Sequence, residues 1–350
     1  MRARLSRTVT LLLTCLLAAW SAVAQDLPRV RLVATGGTIS NKTGGRLTAE
    51  ELVGLMPGVE RYAKPEFEQF TNVASAQITL DQWLALARRL NQLFKDEPNL
   101  AGIVVTSGTD TLEELAFFLD LTVRSDRPVV VVGSMRNPST LGYEGAANLL
   151  DAFRVASTPD ARGRGVMVVL NDTINAAREV TKTDTLRLDT FQTRGYGILG
   201  VADADRIVFY RKVERKHTAA SEFDVANVAA LPRVDILMTY QDAPGDLIKS
   251  AVDAGAKGIV VATAGAGATS GTQQEGIGYA VEKGVFVVSS ARAGSGRIAA
   301  RQRPADQQNA RLEHLIQGED LSPVKARILL MLALTKSHSG ADIQRMFLEY

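Results

Sequence analysis

The chain predicts a two-domain α/β protein, with a larger N-terminal domain on a doubly wound, mainly parallel sheet and a smaller α/β domain after it. Three observations carry this. Short apolar runs with the composition of buried strands alternate with stretches of helical periodicity, the signature of a parallel sheet covered by helices on both faces. A polar, charge-rich passage interrupts the alternation once, after which it resumes. The length, 350 residues, is enough for two domains and a substantial core.

Taken in order, residues 30–34 and 102–106 read as strands, and the helix predicted between them over 79–94 carries Leu80, Trp83, Leu84, Ala87, Leu90 and Phe94 on one stripe. A second helix is predicted over 112–123, and further strands over 128–132 and 165–170. The charged passage, with Arg211, Lys212, Arg215 and Lys216, predicts a linker over 206–231 between domains at 25–205 and 232–350. Strand and helix then alternate again: strands at 234–240, 258–263 and 285–290, helices at 244–254 and 272–283. Two closing helices are predicted at 322–334 and 340–348. No internal repeat or low-complexity tract appears.

The first 24 residues have a different character. Arg2, Arg4 and Arg7 precede an apolar run from 9 to 19, and Ala22-Val23-Ala24 places small residues where a signal peptidase reads them. The run is shorter than the roughly 20 apolar residues of a bilayer span. A leader over 1–24, cleaved after Ala24, is therefore expected, which leaves no membrane association. Cys15, the only cysteine, would leave with it, and so would every prospect of a disulfide or a thiolate metal ligand. Losing three arginines takes Lys+Arg from 40 to 37 against 38 Asp+Glu, a formal charge of −1 that gives a nucleic-acid partner no support.

Chemistry concentrates in two hydroxyl-rich turns, Thr35-Gly36-Gly37-Thr38-Ile39-Ser40 and Ser107-Gly108-Thr109-Asp110-Thr111. Each follows a predicted buried strand directly, which puts both at the sheet edge where open α/β sheets bind ligands. The glycines lack the dinucleotide fingerprint, and no Gly-Lys-Ser/Thr follows them. His217, His314 and His338 are remote from the strand ends and read as surface residues, so neither a Ser-His-Asp relay nor a histidine metal site is expected. Without histidine, a hydroxyl can still become a nucleophile if an amine takes its proton. Lys182, in Val180-Thr181-Lys182-Thr183-Asp184, is the candidate. Each turn also has a plainer reading, as a glycine turn or as a helix N-cap at Thr109, and Lys182 could simply be solvated.

These segments, with Glu113-Glu114-Leu115-Ala116, Val132-Gly133-Ser134-Met135-Arg136 and Asn171-Asp172-Thr173, resemble the bacterial L-asparaginase/glutaminase-asparaginase family over about 27–350, and the leader resembles that of its periplasmic branch. The resemblance implies that Thr38 attacks a side-chain amide to form an acyl-enzyme and release ammonia. It implies a second triad of Thr109, Asp110 and Lys182, with Asp110 also holding the substrate α-ammonium. Substrate-binding positions fall on Ala74, Ser75, Gly108 and Ser134, with Ser75 on the α-carboxylate and the Ser134 backbone carbonyl facing the leaving amide. It further implies a homotetramer of tight dimers with sites between partners, a small-molecule amide substrate, and no metal or cofactor.

Departures from the pattern fall around the substrate's amino end. The segment matching the family's mobile lid, residues 40–46, is short and lacks a tyrosine; Ala76 stands where a glutamine is common. An asparagine and a glutamate of the second domain fall on Ala266 or Ala268 and on Arg303. Three functions therefore remain open: an asparaginase-type amidohydrolase acting on asparagine and possibly glutamine, the same chemistry on modified or peptide-linked amides, and a non-catalytic periplasmic amino-acid-binding protein.

Overall fold

The computed structural model describes residues 26–298 and 313–350. The expected leader with Cys15, and Arg303, lie outside the described residues. The large sheet begins with β1 (Arg29–Gly36), and a small hairpin of β2 (Asn41–Lys42) and β3 (Gly45–Arg46) follows it. Then come β4 (Lys64–Val73), β5 (Leu100–Thr106), β6 (Val129–Val132), β7 (Val166–Leu170) and β8 (Thr173–Ala176). A second hairpin, β9 (Val180–Lys182) with β10 (Phe191–Thr193), precedes β11 (Gly200–Ala202) and β12 (Ile207–Phe209).

The sheet runs β12-β11-β8-β7-β6-β5-β1-β4. Five strands, β4, β1, β5, β6 and β7, are parallel, and β8, β11 and β12 continue it antiparallel. The change of direction happens in a two-residue hairpin between Leu170 and Thr173, where Asn171 (φ 52°) and Asp172 (φ 61°) both take the left-handed backbone. That is the geometry of a primed turn, and Asn and Asp tolerate it better than other non-glycine residues.

Helices α1 (Ala49–Gly54), α2 (Leu80–Asp96), α3 (Leu112–Thr122) and α4 (Gly145–Ser157) cover the sheet. Capping boxes start two of them: Thr48 with Glu51 for α1, and Thr79 with Gln82 for α2. Strand alternation sorts the core into two layers. Val33, Ile103, Val105, Val129 and Val131 pack with α2 and α3, while Leu32, Val104, Val130 and Val132 pack on the opposite face with Leu52 of α1 and Leu149 and Phe153 of α4.

The second domain is a four-stranded parallel sheet, β13 (Val234–Met238), β14 (Gly258–Thr263), β15 (Phe286–Ala291) and β16 (Leu315–Gln317), in that order. Helices α5 (Asp246–Asp253) and α6 (Gln273–Glu282) pack on one face. On the other lie α7 (Pro323–Ala333) and α8 (Gly340–Glu349), and here the core is continuous with that of α2 and α3. Residues 328–333 of α7 are all fully buried, because the helix is wedged between the two sheets' layers. A helix apolar on all sides is what that position requires.

The passage expected as a linker is more structured than its charges suggest. It opens with the sheet's edge strand β12, and further on it buries Phe223 and Val225 against the main core, each 1% exposed. An edge strand paired on one side needs no apolar face on both sides, so its composition resembled a loop. Strand β4 and helix α4 had no counterpart in the sequence reading. β4 is also an edge strand, and Glu66 and Glu68 interrupt its apolar residues.

Candidate active site

Helices or loops leave β1 and β5 from adjacent strand ends, but the chain passes from β1 to β4 on one side and returns to β5 on the other. This is the topological switch point of a doubly wound sheet, where diverging connections open a crevice. The two hydroxyl-rich turns leave those two strand ends.

The turns are in backbone contact. Gly37 has φ 91°, and a Cβ built on it would lie 2.3 Å from Gly108 N and 2.5 Å from Gly108 Cα. Only glycine at 37 lets the turns approach this closely. They are stitched in both directions, since Thr35 Oγ1 donates to Thr106 O at 2.6 Å and Thr35 N donates to Thr106 Oγ1 at 3.0 Å. Thr38 then opens a 3-10 turn, Thr38–Ser40, in which Ile39 and Ser40 are buried and Thr38 itself stays partly exposed. Tyr143 OH donates to Ile39 O at 2.8 Å, and Ser40 Oγ (3.1 Å) and Arg46 Nη1 (3.3 Å) donate to Gly37 O. Of these grips, only Ser40 belonged to a segment that sequence reasoning had singled out by its chemistry.

On the second turn, the Lys182 ammonium sits between a hydroxyl and a carboxylate. Nζ donates to Thr109 Oγ1 at 3.0 Å and to Asp110 Oδ1 at 2.8 Å. Thr109 is 5% exposed and the Lys182 side chain 16%, whereas the Asp110 side chain is 76% exposed. The plainer readings fail here: the N-cap of α3 is Thr111, not Thr109, and Lys182 is not a freely solvated cation.

The expected binding positions are partly brought together. Ser75 is buried against Gly108, whose Cβ would meet Ser75 Oγ at 2.7 Å, and Ala74 immediately precedes it as the N-cap of a 3-10 turn. Ser134 is fully buried and its hydroxyl donates to Arg136 O at 2.6 Å. Asn148 holds the neighbouring backbone, donating to Gly133 O at 3.0 Å and accepting from Asn171 N at 2.9 Å. Ala76 is exposed, as are Ala266 and Ala268 on the loop after β14. The segment matching a lid is the β2–β3 hairpin, tied by Thr43 N donating to Ser139 Oγ at 2.9 Å.

Two histidines depart from the surface placement expected for them. His217 is half-buried beside Gly165, and His314 is half-buried with its ring 4.5 Å from that of Phe286. Neither lies at the switch point. Among the described residues, no group of three or more His, Cys, Asp or Glu side chains is placed to hold a metal.

Comparison with known proteins agrees with this geometry. A family model described as Asparaginase, N-terminal, matches residues 29–215, and one described as Glutaminase/Asparaginase C-terminal domain matches 233–347. L-asparaginase 2 of Bacillus subtilis (strain 168) is 45% identical over 336 residues, which cover 93% of this chain and 88% of the relative. L-asparaginase 2 of Escherichia coli (strain K12) is 38% identical over 347 residues, covering 97% and 98%. Among solved structures, the probable cytoplasmic L-asparaginase from Campylobacter jejuni matches with a TM-score of 0.86 and 38% identity, over 92% of this chain and 100% of that one. With both domain models matched and two relatives at 45% and 38% identity over nearly the whole chain, the chain belongs to the asparaginase family of amide hydrolases.

Proposed function

We propose that the protein hydrolyses the side-chain amide of L-asparagine through a threonine acyl-enzyme, with Thr38 as the nucleophile. The observation that supports this most is Lys182 Nζ bridging Thr109 Oγ1 and Asp110 Oδ1 at 3.0 and 2.8 Å, on a turn whose backbone abuts the one carrying Thr38. In this reading Thr38 Oγ1 attacks the amide carbon as its proton passes toward the relay. The tetrahedral oxyanion is met by backbone N–H groups of the turns. The C–N bond breaks as the nitrogen takes up a proton and leaves as ammonia. Water, activated by the same groups, then cleaves the ester to release aspartate and restore Thr38. Asp110, exposed toward the crevice, receives the substrate α-ammonium, and Ser75 its carboxylate.

A second reading, the same chemistry on α-N-blocked or peptide-linked amides, is favoured by the apolar, exposed Ala76, Ala266 and Ala268. We also propose that the protein works in the periplasm after loss of the leader, and as a homotetramer. Assembly is supported by exposed Met238, Tyr240 and Leu247 at and beside the edge strand β13.

Thr38→Ala is expected to abolish ammonia release without unfolding the protein, and hydroxylamine is expected to intercept the wild-type intermediate as a hydroxamate. Near-normal turnover in Thr38→Ala would remove the nucleophile assignment. Ammonia release measured across asparagine, glutamine and α-N-acylated asparagine separates the two readings.

A further inference from the structure

The amine of the relay is carried by a weak element. Strand β9 is three residues long and pairs with a single short strand, β10, so an ordinary ladder fixes only one of its edges. Two charged side chains, half-buried Glu113 and buried Lys325, hold the rest. From α3, Glu113 Oε1 accepts from Thr181 Oγ1 at 3.0 Å and from Lys182 N at 3.1 Å. From α7 of the second domain, Lys325, 2% exposed, donates through Nζ to Arg178 O at 3.0 Å and to Val180 O. Between them, the two groups reach four consecutive or near-consecutive sites along 178–182, ending on the N–H of Lys182 itself.

Both groups are costly to bury. Glu113 Oε2 is buried without a hydrogen-bond partner, and burial pushes the Lys325 ammonium down to about 8 against the opposing pull of Glu113. A neutral side chain could satisfy single carbonyl or amide groups here, but charge-assisted bonds are shorter and roughly twice as strong. The placement also has a geometric consequence. Glu113 lies in the first turn of the helix that follows Thr109 and Asp110, so it ties the backbone of the amine to the same element that positions the hydroxyl and carboxylate.

We propose that Glu113 and Lys325 are positioning residues for Lys182, the second carrying the C-terminal domain's packing into the relay of the first. The inference rests on the reading that Lys182 acts in catalysis. Neither residue touches substrate; each acts by fixing where Nζ stands relative to Thr109 Oγ1.

The test uses the full chain, with Glu113→Gln and Lys325→Met made alone and in a Lys182→Met background, and reads kcat, KM and thermal unfolding. A displacement near 1 Å lowers turnover by roughly 100-fold. The expected result is therefore a kcat loss of roughly 10- to 100-fold in each folded single variant with KM little changed. In the Lys182→Met background no further loss is expected, since the members of one relay act as a unit. Glu113→Gln changes one atom and decides the matter if Lys325→Met does not fold. Unchanged kcat in Glu113→Gln, its failure to fold, or an additional loss in the Lys182→Met background would overturn the proposal alone. Retained activity in Lys182→Met by itself would overturn the relay reading and take the proposal with it.

Discussion

Replacing Gly37 by alanine tests the claim that two turns must touch for the site to exist. The added Cβ would meet Gly108 N at 2.3 Å, Gly108 Cα at 2.5 Å and Ser107 C at 2.7 Å. All three are backbone atoms, so no side chain can swing aside. Restoring ordinary contact requires the turns to part by about 1 Å. At φ 91° and ψ −173° Gly37 has a backbone conformation open essentially to glycine alone, so alanine there costs about 1–3 kcal/mol by itself, and overpacking adds about 1–3 kcal/mol. The expected loss of stability is thus about 2–6 kcal/mol, read from denaturant unfolding. Because the separation opens between the turn of Thr38, the proposed nucleophile, and the turn of Thr109 and Asp110, kcat for ammonia release is expected to fall by roughly 100-fold. Gly284→Ala is the control: its φ is 73° but nothing lies within 4 Å of its Cβ, so it pays only the backbone term of about 1–2 kcal/mol and keeps its kcat. A Gly37→Ala protein that matched Gly284→Ala in both stability and kcat would refute the reasoning.

Asp320→Ala strips the partner from Arg178, a side chain 4% exposed that makes a two-pronged pair with it at 2.7 and 2.8 Å; unfolding free energy is expected to drop by about 3–5 kcal/mol, and a loss below about 1 kcal/mol would show that the pair contributes little. Burial pushes the Asp120 carboxyl up to about 6 despite His217 nearby and the Val166 N–H it accepts at 2.7 Å. Its folded pKa lies above the unfolded value, so this group favours folding at low pH and opposes it as pH rises through 4 to 6. Asp120→Asn is therefore expected to gain stability relative to wild type by about 3 kcal/mol between pH 3.5 and 7, and a pH-independent difference in denaturation curves would contradict it. Asp110 already serves Lys182, and Ala76 adds no polar group beside it, so a free α-ammonium lacks charge-assisted bonds worth about 1.5–3 kcal/mol each. α-N-acylated asparagine is expected to be hydrolysed about as well as free asparagine, and Ala76→Gln to improve the free form alone; a micromolar KM for asparagine with no activity on blocked forms would reject this.

Much of this was legible in the sequence, for physical reasons. Buried parallel strands such as β5 and β14 read as continuous apolar runs because both faces are covered. Helix α2 announced itself through its apolar stripe. Edge strands β4 and β12 did not, since half of each faces water. The helix predicted over 112–123 is present as α3, and all of 115–122 is buried because α7 covers its outer side, a contact of high sequence separation that no local pattern encodes. In the candidate site, Thr109, Asp110 and Lys182 could be picked out, and they do meet in space, because the proposed chemistry restricts which residue types can serve. Glu113, Tyr143 and Asn148 act through one or two hydrogen bonds, mostly to backbone, a role open to many residue types that no sequence pattern marks.

The spacing between β5 and α3 explains why a threonine at this place can serve a lysine. The strand ends at Thr106 and the helix begins at Leu112 with Thr111 as its cap. Had the helix started two residues earlier, Thr109 would occupy the cap and its oxygen would accept a backbone N–H, as capping threonines do. The offset leaves that oxygen to Lys182, and it leaves the Asp110 side chain 76% exposed and paired with the Lys182 ammonium instead of folded against the helix terminus. Gly108, directly before them, keeps the chain thin enough for Gly37 and Ser75 to close in from two other strand ends. The turn thus divides the work by position: Gly108 sets the approach, Thr109 and Asp110 carry the polar groups, and Thr111, the fifth residue, caps the helix that fixes them. Lengthening the turn would detach the pair from the helix, and shortening it would turn the hydroxyl into a cap. In either case the lysine would lose its acceptor while the sheet and its core remained as they are.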